Sequence, residues 1–376
     1  MISSTTRVCD NRGVVFFGIV ESFDFWQIGG MESYLRRLAF ELTKAGKDVN
    51  FVQYGSDSVA AEQAFPGITL YRYRFLDDAL EHIAQQASIV LVSALYRKDR
   101  LKFIKFRKAN RDIITFYFVA SYWGKSWIRR KCYFLESFIY PNNGGVLCMS
   151  PRLLKASDTE RIKAKLLLPP VPEDYFIKPE DKLLKNKIVV TYMGRPVPSK
   201  GADDAVKVFA QLQGEPDIQT QLCGYCCKDD NESMFIHKFL MAQKNIKYIH
   251  EDNNRWSEST DAKLIRRLKE TDILLLPYRS LRTTIDVPLL LLEGMAANCC
   301  IITKPIGDIP EIYGQSSFIL PVNDFVPNAV ALIKQVRQNP QILRKERHRI
   351  ASQVMKLSFD TKSISKRLFS LFAEKA

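Results

Sequence analysis

Two cations in this chain each stand beside a glycine, in Gly194-Arg195 and Lys200-Gly201. Further along, Glu293-Gly294-Met295-Ala296 follows an apolar run, and Gly307-Asp308-Ile309-Pro310-Glu311 closes the stretch. Each piece falls where a strand-like segment feeds a helical one. A strand edge that passes through a glycine turn into a helix aims backbone N–H groups and the positive helix end at an anion, and a nearby Arg and Lys add full charges. This is equipment for a diphosphate. Glu293 lies about two helical turns into its segment, where a carboxylate accepts hydrogen bonds from a vicinal diol such as a ribose. The set points to a nucleoside diphosphate that carries a sugar.

The elements that must position these groups alternate along the chain. Residues 14–20 form a short apolar run rich in β-branched and aromatic side chains. Gly29-Gly30 then breaks the chain, and residues 31–45 have helical periodicity through Tyr34, Leu35, Leu38, Ala39 and Leu42, with Gly46 as the stop. Strand-like runs follow at 49–54, 68–73, 89–94, 113–119, 145–149 and 166–168. Pro169-Pro170-Val171-Pro172 and the charged Glu180-Asp181-Lys182 have the composition of a hinge. Beyond it the alternation restarts: strands at 188–193, 219–223, 246–249, 273–277 and 300–303, helices at 201–213 and 288–297, and basic amphipathic helix over 325–337 and 340–373.

Strands alternating with helices of this length predict parallel sheets covered on both faces. Two such units in tandem leave a cleft between them, and ligands of open α/β sheets bind outside the carboxyl ends of the strands. The expected division is an N-terminal domain over 1–172, a linker over 173–187 and a C-terminal domain over 188–357, with a last helix over 358–376 returning to the first domain.

A chain of 376 residues with 46% hydrophobic and 26% charged content has the size and composition of a two-domain globular protein. The first residues lack an apolar leader, and the longest nearly uncharged run, 113–124, is too short for a membrane helix, so a cytoplasmic location is expected. Eight cysteines, scattered singly or as the doublets Cys226-Cys227 and Cys299-Cys300, make a poor disulfide framework. Cys223 and Cys226 have CxxC spacing without a second ligand pair, and no metal site is expected.

The net charge of +14 is concentrated locally. Residues 97–131 hold twelve basic side chains against two acidic ones, interleaved with aromatic and apolar residues. Such a surface suits anionic lipid or nucleic acid. No nucleic-acid-binding signature accompanies it, and that use would leave Arg195, Lys200, Glu293 and Gly29-Gly30 without a purpose.

In order and spacing these motifs resemble glycosyltransferase family 4 (group 1), retaining enzymes of the GT-B fold, in which two Rossmann-like, doubly wound domains enclose a cleft. The resemblance covers nearly the whole chain. It begins with Gly29-Gly30-Met31-Glu32, runs through Met149-Ser150-Pro151 and Leu168-Pro169-Pro170, and becomes specific in Gly194-Arg195, Lys200-Gly201, Glu293-Gly294-Met295-Ala296 and Pro310-Glu311. It implies a nucleotide-sugar donor (UDP- or GDP-linked) held by the C-terminal domain, an acceptor held by the N-terminal domain, and neither metal nor cofactor. Arg195 and Lys200 would hold the diphosphate and help it leave, as Mg²⁺ does elsewhere. Glu293 would bind the ribose, Gly29 and Gly30 would let backbone approach the phosphates or the sugar, and Gly194, Gly307 and Glu311 would complete the donor site.

In monotopic members of this fold the region corresponding to 97–131 rests on the inner leaflet. Lys102, Lys105, Arg107, Lys108, Trp123, Trp127, Arg129 and Arg130 would form that patch, each charge contributing about 1 kcal/mol near anionic lipid. The expected protein is thus a cytoplasmic, peripherally membrane-associated, metal-independent hexosyltransferase. It would add a sugar to a lipid-linked or oligosaccharide acceptor of a cell-surface polysaccharide, O-antigen or capsule.

Two departures from the family pattern stand out. Eight residues before Glu293, where the family carries an acid, this chain has Ile285. Asp286 is one residue away and returns to nearly the same helix face as Glu293, while Pro288 suits it equally to capping the helix start. Nor does the N-terminal domain offer a histidine at Ser93-Ala94-Leu95-Tyr96 or Ala120-Ser121-Tyr122-Trp123. Same-face attack, in which the leaving phosphate takes the acceptor proton, needs no protein base. Two alternatives remain open: a GT-B nucleotide-sugar epimerase or hydrolase, and a catalytically degenerate binding subunit.

Overall fold

The structure, a computed structural model, describes residues 13–120, 144–158, 163–182, 186–225, 231–242, 246–251, 255–280 and 285–374. Two sheets organise it. The first has eight strands, β1 (Gly13–Ile19), β2 (Val49–Tyr54), β3 (Ala60–Phe65), β4 (Ile68–Tyr73), β5 (Ala87–Val92), β6 (Ile114–Val119), β7 (Gly145–Cys148) and β8 (Ala164–Leu166). Their order is β3-β4-β2-β1-β5-β6-β7-β8, parallel throughout except for β3 against β4. The second is fully parallel, with β9 (Ile188–Met193), β10 (Ile218–Tyr225), β11 (Lys247–Glu251), β12 (Ile273–Leu276) and β13 (Cys300–Thr303) in the order β11-β10-β9-β12-β13.

The central strands read as unbroken apolar runs because helices cover both of their faces. Val14, Val15, Phe16 and Phe17 of β1 are all buried, as are Ile273 to Leu276 of β12. In the first domain the helices are α1 (Gly30–Lys44), α2 (Leu76–Gln86), α3 (Arg100–Ala109) and α4 (Pro151–Ser157). The second has α5 (Ala202–Gln211), α6 (Asn231–Ala242), α7 (Glu258–Glu270), α8 (Leu289–Ala296), α9 (Ile309–Tyr313), α10 (Phe325–Gln338) and α11 (Gln341–Leu357). The last helix, α12 (Thr361–Ala373), lies against α1, with Phe372 packed on Phe116 of β6.

Two differences from the sequence reading have simple causes. β3 is an added edge strand whose Ala-Ala-Glu-Gln-Ala-Phe sequence is mostly exposed and carries no β-branched residue, so no strand periodicity marks it. The single helix expected over 340–373 is two. Ser358 takes a left-handed conformation (φ 47°), and Asp360 then caps α12 by accepting a hydrogen bond from the Ser363 N–H at 2.8 Å.

Loops at the carboxyl ends of the two sheets meet across the cleft. The segment after β1 joins the one after β11 through a Gln27–Arg255 bridge, and the Trp256 N–H donates to the Trp26 carbonyl at 2.5 Å. The Arg36 guanidinium lies 4.2 Å from the centre of the Trp256 ring. Behind the cleft, residues 170–177 form the hinge, where the Ile177 N–H donates to the Ala296 carbonyl at 3.0 Å. No helix among the described residues is long and apolar enough to cross a membrane.

Candidate functional site

The C-terminal wall of the cleft is built on the turn between β9 and α5. Gly194 donates its N–H to the Cys223 carbonyl at 3.0 Å, and the Arg195 carbonyl accepts from the Tyr192 hydroxyl at 2.9 Å and the Val197 N–H at 2.9 Å. The chain then makes one 3₁₀ turn, Pro198–Lys200, and enters α5 through Gly201 in the left-handed region (φ 76°). A Cβ at Gly201 would stand 2.1 Å from the Pro277 carbonyl oxygen, so only glycine lets this turn lie against the end of β12. Next to it the Arg279 N–H donates to the Ser199 carbonyl at 3.1 Å.

This frame brings Arg195 and Lys200 together, both half-buried. The Lys200 ammonium lies 5.4 Å from the centre of the Tyr278 ring. Burial, and after it the charge of Arg195, lower its pKa to about 8. Among the described residues no carboxylate pairs with Lys200. The neighbouring cations differ. Asp204 accepts from Lys304 at 2.6 Å and from the Arg279 Nη2 at 2.6 Å, and Asp203 takes a second bond from Arg279 at 2.5 Å. Burial alone would raise the Asp204 pKa, but these two cations bring it below the ordinary carboxylate value. Arg279 and Lys304 thus hold the walls, while Lys200 keeps an uncompensated charge at the turn.

Across the cleft stands the amino end of α1. A Cβ at Gly29 would fall 2.0 Å from the Glu32 carboxylate, and one at Gly30 would fall 3.0 Å from Ile285. Gly30 therefore lets the helix start come close to the opposing domain, while Gly29 makes room for the Glu32 side chain of its own helix. Burial raises the pKa of Glu32, while its own N–H, Arg36 and Arg195 pull the other way.

The carboxylates expected at the donor are differently placed. Glu293, in the second turn of α8, is buried, and its Oε1 accepts from the Arg37 Nη2 of α1 at 2.5 Å. The same Nη2 reaches the Tyr175 hydroxyl at 3.2 Å, and the Arg37 Nη1 donates to the Pro170 carbonyl at 3.1 Å. Asp286 is neither a helix cap nor an open ligand: Pro288 is the N-cap of α8, and the Asp286 side chain is fully buried. Its Oδ2 accepts from the Ser150 hydroxyl at 2.7 Å and the Arg152 Nε at 3.2 Å, and its Oδ1 accepts from the Arg152 Nη2. These bonds make Asp286 an interdomain tie, with three of its about four lone-pair sites taken by the other domain.

Gly307 (φ 59°) forms the turn into α9. The next residue, Asp308, accepts the Arg152 N–H at 2.8 Å, whereas Glu311 is exposed on α9. On α3, Lys102, Lys105 and Lys108 are exposed, with Leu101 beside them. Arg107 departs from the expected patch: it is buried and donates to the Tyr117 hydroxyl at 2.8 Å, because its helix face packs on β6. Trp123, Trp127, Arg129 and Arg130 lie outside the described residues.

Sequence reasoning missed Arg37, Arg152, Tyr175 and Asp308. The one available signal was Arg36-Arg37 inside the apolar stripe of α1, where a solvated arginine has no place.

A family model matches the part of the chain that carries this turn. Residues 175–356 match the family of glycosyl transferases group 1. Solved structures resemble the whole chain. Sucrose-phosphate synthase from Thermosynechococcus elongatus superposes with a TM-score of 0.68 at 16% identity, covering 96% of this chain and 99% of the other. HepE of Anabaena, in complex with UDP-glucose, gives 0.67 at 12%, covering 96% and 100%. A glycosyltransferase from Rickettsia africae gives 0.65 at 14%, covering 97% and 99%. The fold is GT-B. None of the curated proteins matches the chain by sequence. In this GT-B frame the group 1 match runs from the end of the hinge through the second domain, and therefore contains Arg195, Lys200, Asp286, Glu293, Gly307 and Glu311.

Proposed function

We propose that this protein is a retaining, metal-independent glycosyltransferase that moves a hexose from a nucleotide-diphosphate sugar to a lipid-linked glycan acceptor. The observation that carries the reading is the turn from Gly194 to Gly201, which presents Arg195 and an uncompensated Lys200 to the cleft at the amino end of a helix. A diphosphate seated there gains charge as the bond from the anomeric carbon to its oxygen breaks, and the two cations stabilise that charge. The acceptor oxygen bonds to the anomeric carbon on the same face, and its proton passes to the departing phosphate oxygen. UDP-glucose bound to HepE favours uridine as the base and glucose as the sugar. Exposed Lys102, Lys105 and Lys108 on one helix of the acceptor domain favour an acceptor presented at an anionic membrane surface.

A second reading, a nucleotide-sugar-binding subunit without transfer, is favoured by Ile285, which stands against Gly30 where an acid is expected. Release of UDP or GDP from the corresponding sugar conjugates, with and without extracted lipid-linked glycans, separates the two. Acceptor-dependent release that fails in Lys200→Ala supports transfer. Tight nucleotide binding without release supports the subunit.

A further inference from the structure

The Arg37–Glu293 pair joins the two domains at the carboxylate that the family resemblance assigns to the donor ribose. Arg37 comes from the third turn of α1 and Glu293 from the second turn of α8, and both side chains are buried, with 7% and 5% of their surface exposed. An ion pair this deeply buried is costly unless its remaining hydrogen-bonding groups are satisfied. Arg37 spends Nη1 on the Pro170 carbonyl and shares Nη2 between Tyr175 and Glu293. Only one carboxylate oxygen, Oε1, is bonded to Arg37. The arginine is itself anchored to the hinge, so the direction in which Glu293 points is set by how the first domain and the hinge sit on the second.

We propose that Arg37 is a positioning residue for the donor: from the opposite domain it holds the Glu293 carboxylate in place and aimed for the ribose hydroxyls, so that the donor site is complete only when the domains are closed. The proposal rests on the transfer reading above. It explains an arginine in the apolar stripe of α1 and gives domain closure a direct chemical consequence at the nucleotide.

The groups that face Glu293 define what happens without Arg37. Burial pushes the Glu293 carboxyl up; Arg37 pulls it down, Asp261 of α7 pushes it further up, and the Tyr175 hydroxyl at the hinge pulls it down. From α11, which also packs on α8, Arg347 and Glu346 bond to Asp272 and Tyr313 instead. No second cation replaces Arg37 among the groups acting on Glu293. A neutral side chain at position 37 therefore removes the main influence that lowers the Glu293 pKa and leaves burial and Asp261 raising it.

The test is the dissociation constant of UDP and of GDP, measured calorimetrically from about pH 6 to about pH 9 for wild type, Arg37→Ala, Arg37→Gln and Arg37→Lys, with folding checked by thermal melting. Arg37→Ala and Arg37→Gln should each bind at least about tenfold more weakly than wild type at pH 6.5, with the ratio to wild type narrowing as pH rises and Glu293 ionises. Arg37→Lys, which keeps the charge, should restore the wild-type profile. Should the alanine variant fail to fold, the glutamine and lysine variants carry the same comparison. Neutral variants that bind as tightly as wild type, more tightly, or more weakly by one constant factor at every pH overturn the proposal and leave the donor reading standing. If neither nucleotide binds wild type, the donor reading falls and the proposal with it.

Discussion

Arg152 and Asp286 tie the two domains together: the guanidinium at the start of α4 bonds both carboxylate oxygens of a residue that lies 134 positions later in the chain. Ser150 completes the tie from the N-cap of the same helix, its hydroxyl donating to Asp286 at 2.7 Å while it accepts from the Leu153 N–H at 3.1 Å. Arg152→Ala would leave a buried carboxylate with one hydrogen bond in place of three. The expected loss is about 3 kcal/mol in chemical denaturation, and adding Asp286→Asn, which removes the stranded charge, should recover part of it. A loss of a few tenths would mean that the tie is solvated in solution.

Lys200 should make both stability and nucleotide binding depend on pH. Its pKa, about 8 in the folded protein, lies below the value of 10.5 for an unfolded lysine. The unfolded chain therefore binds more protons between these values, and stability rises with pH across that window. Donor binding runs the other way, because the diphosphate needs the charged form. Nucleotide affinity should weaken as pH rises past about 8, and Lys200→Arg should remove that dependence while keeping tight binding. Isothermal calorimetry across the window reads this directly. A flat wild-type profile would show that Lys200 does not meet the phosphates.

Gly201 is the pivot of the turn that carries Arg195 and Lys200. Alanine there combines a left-handed backbone with a Cβ driven into the Pro277 carbonyl, and Gly201→Ala should cost about 2 to 4 kcal/mol of stability and weaken nucleotide binding beyond detection. Thermal melting and nucleotide titration together decide it. A stable variant with wild-type affinity would mean that the turn rearranges freely.

The exposed lysines of α3 give the membrane claim a measurable size. Reversing Lys102, Lys105 and Lys108 to glutamate should lower partition onto anionic vesicles by at least about 3 kcal/mol, or more than about 100-fold, and wild-type binding should fall with added salt. Arg107→Ala, by contrast, should leave partition unchanged and cost stability, because Arg107 packs inward on Tyr117. Wild-type protein that fails to float with anionic vesicles at low salt removes the membrane claim.

The alternation of strands and helices, and with it the doubly wound architecture, was legible because parallel strands buried on both faces leave continuous apolar runs such as 14–17 and 273–276. The glycine-flanked cations were legible for a local reason: a turn of eight residues writes its requirements into consecutive positions. The interdomain pairs were not. Arg37 meets Glu293 across 256 positions and Arg152 meets Asp286 across 134, and no periodicity links such partners. Arg107 was misplaced for a related reason, since charge counts along a helix do not tell which face packs on a neighbouring sheet. Asp286 illustrates the limit well, because a carboxylate just before a helix has the same local sequence whether it caps the helix, faces a ligand or crosses to another domain.

The central claim is that the turn carrying Arg195 and Lys200 binds the diphosphate of a nucleotide sugar. The most direct measurement is titration of UDP, GDP, ADP and their common sugar conjugates into wild type, Arg195→Ala and Lys200→Ala at neutral pH. One base should bind wild type, and each variant should lose about 30- to 1000-fold in affinity while its melting temperature without nucleotide stays close to that of wild type. Folded wild-type protein that binds none of them near millimolar concentration, or variants that bind as tightly as wild type, would contradict it.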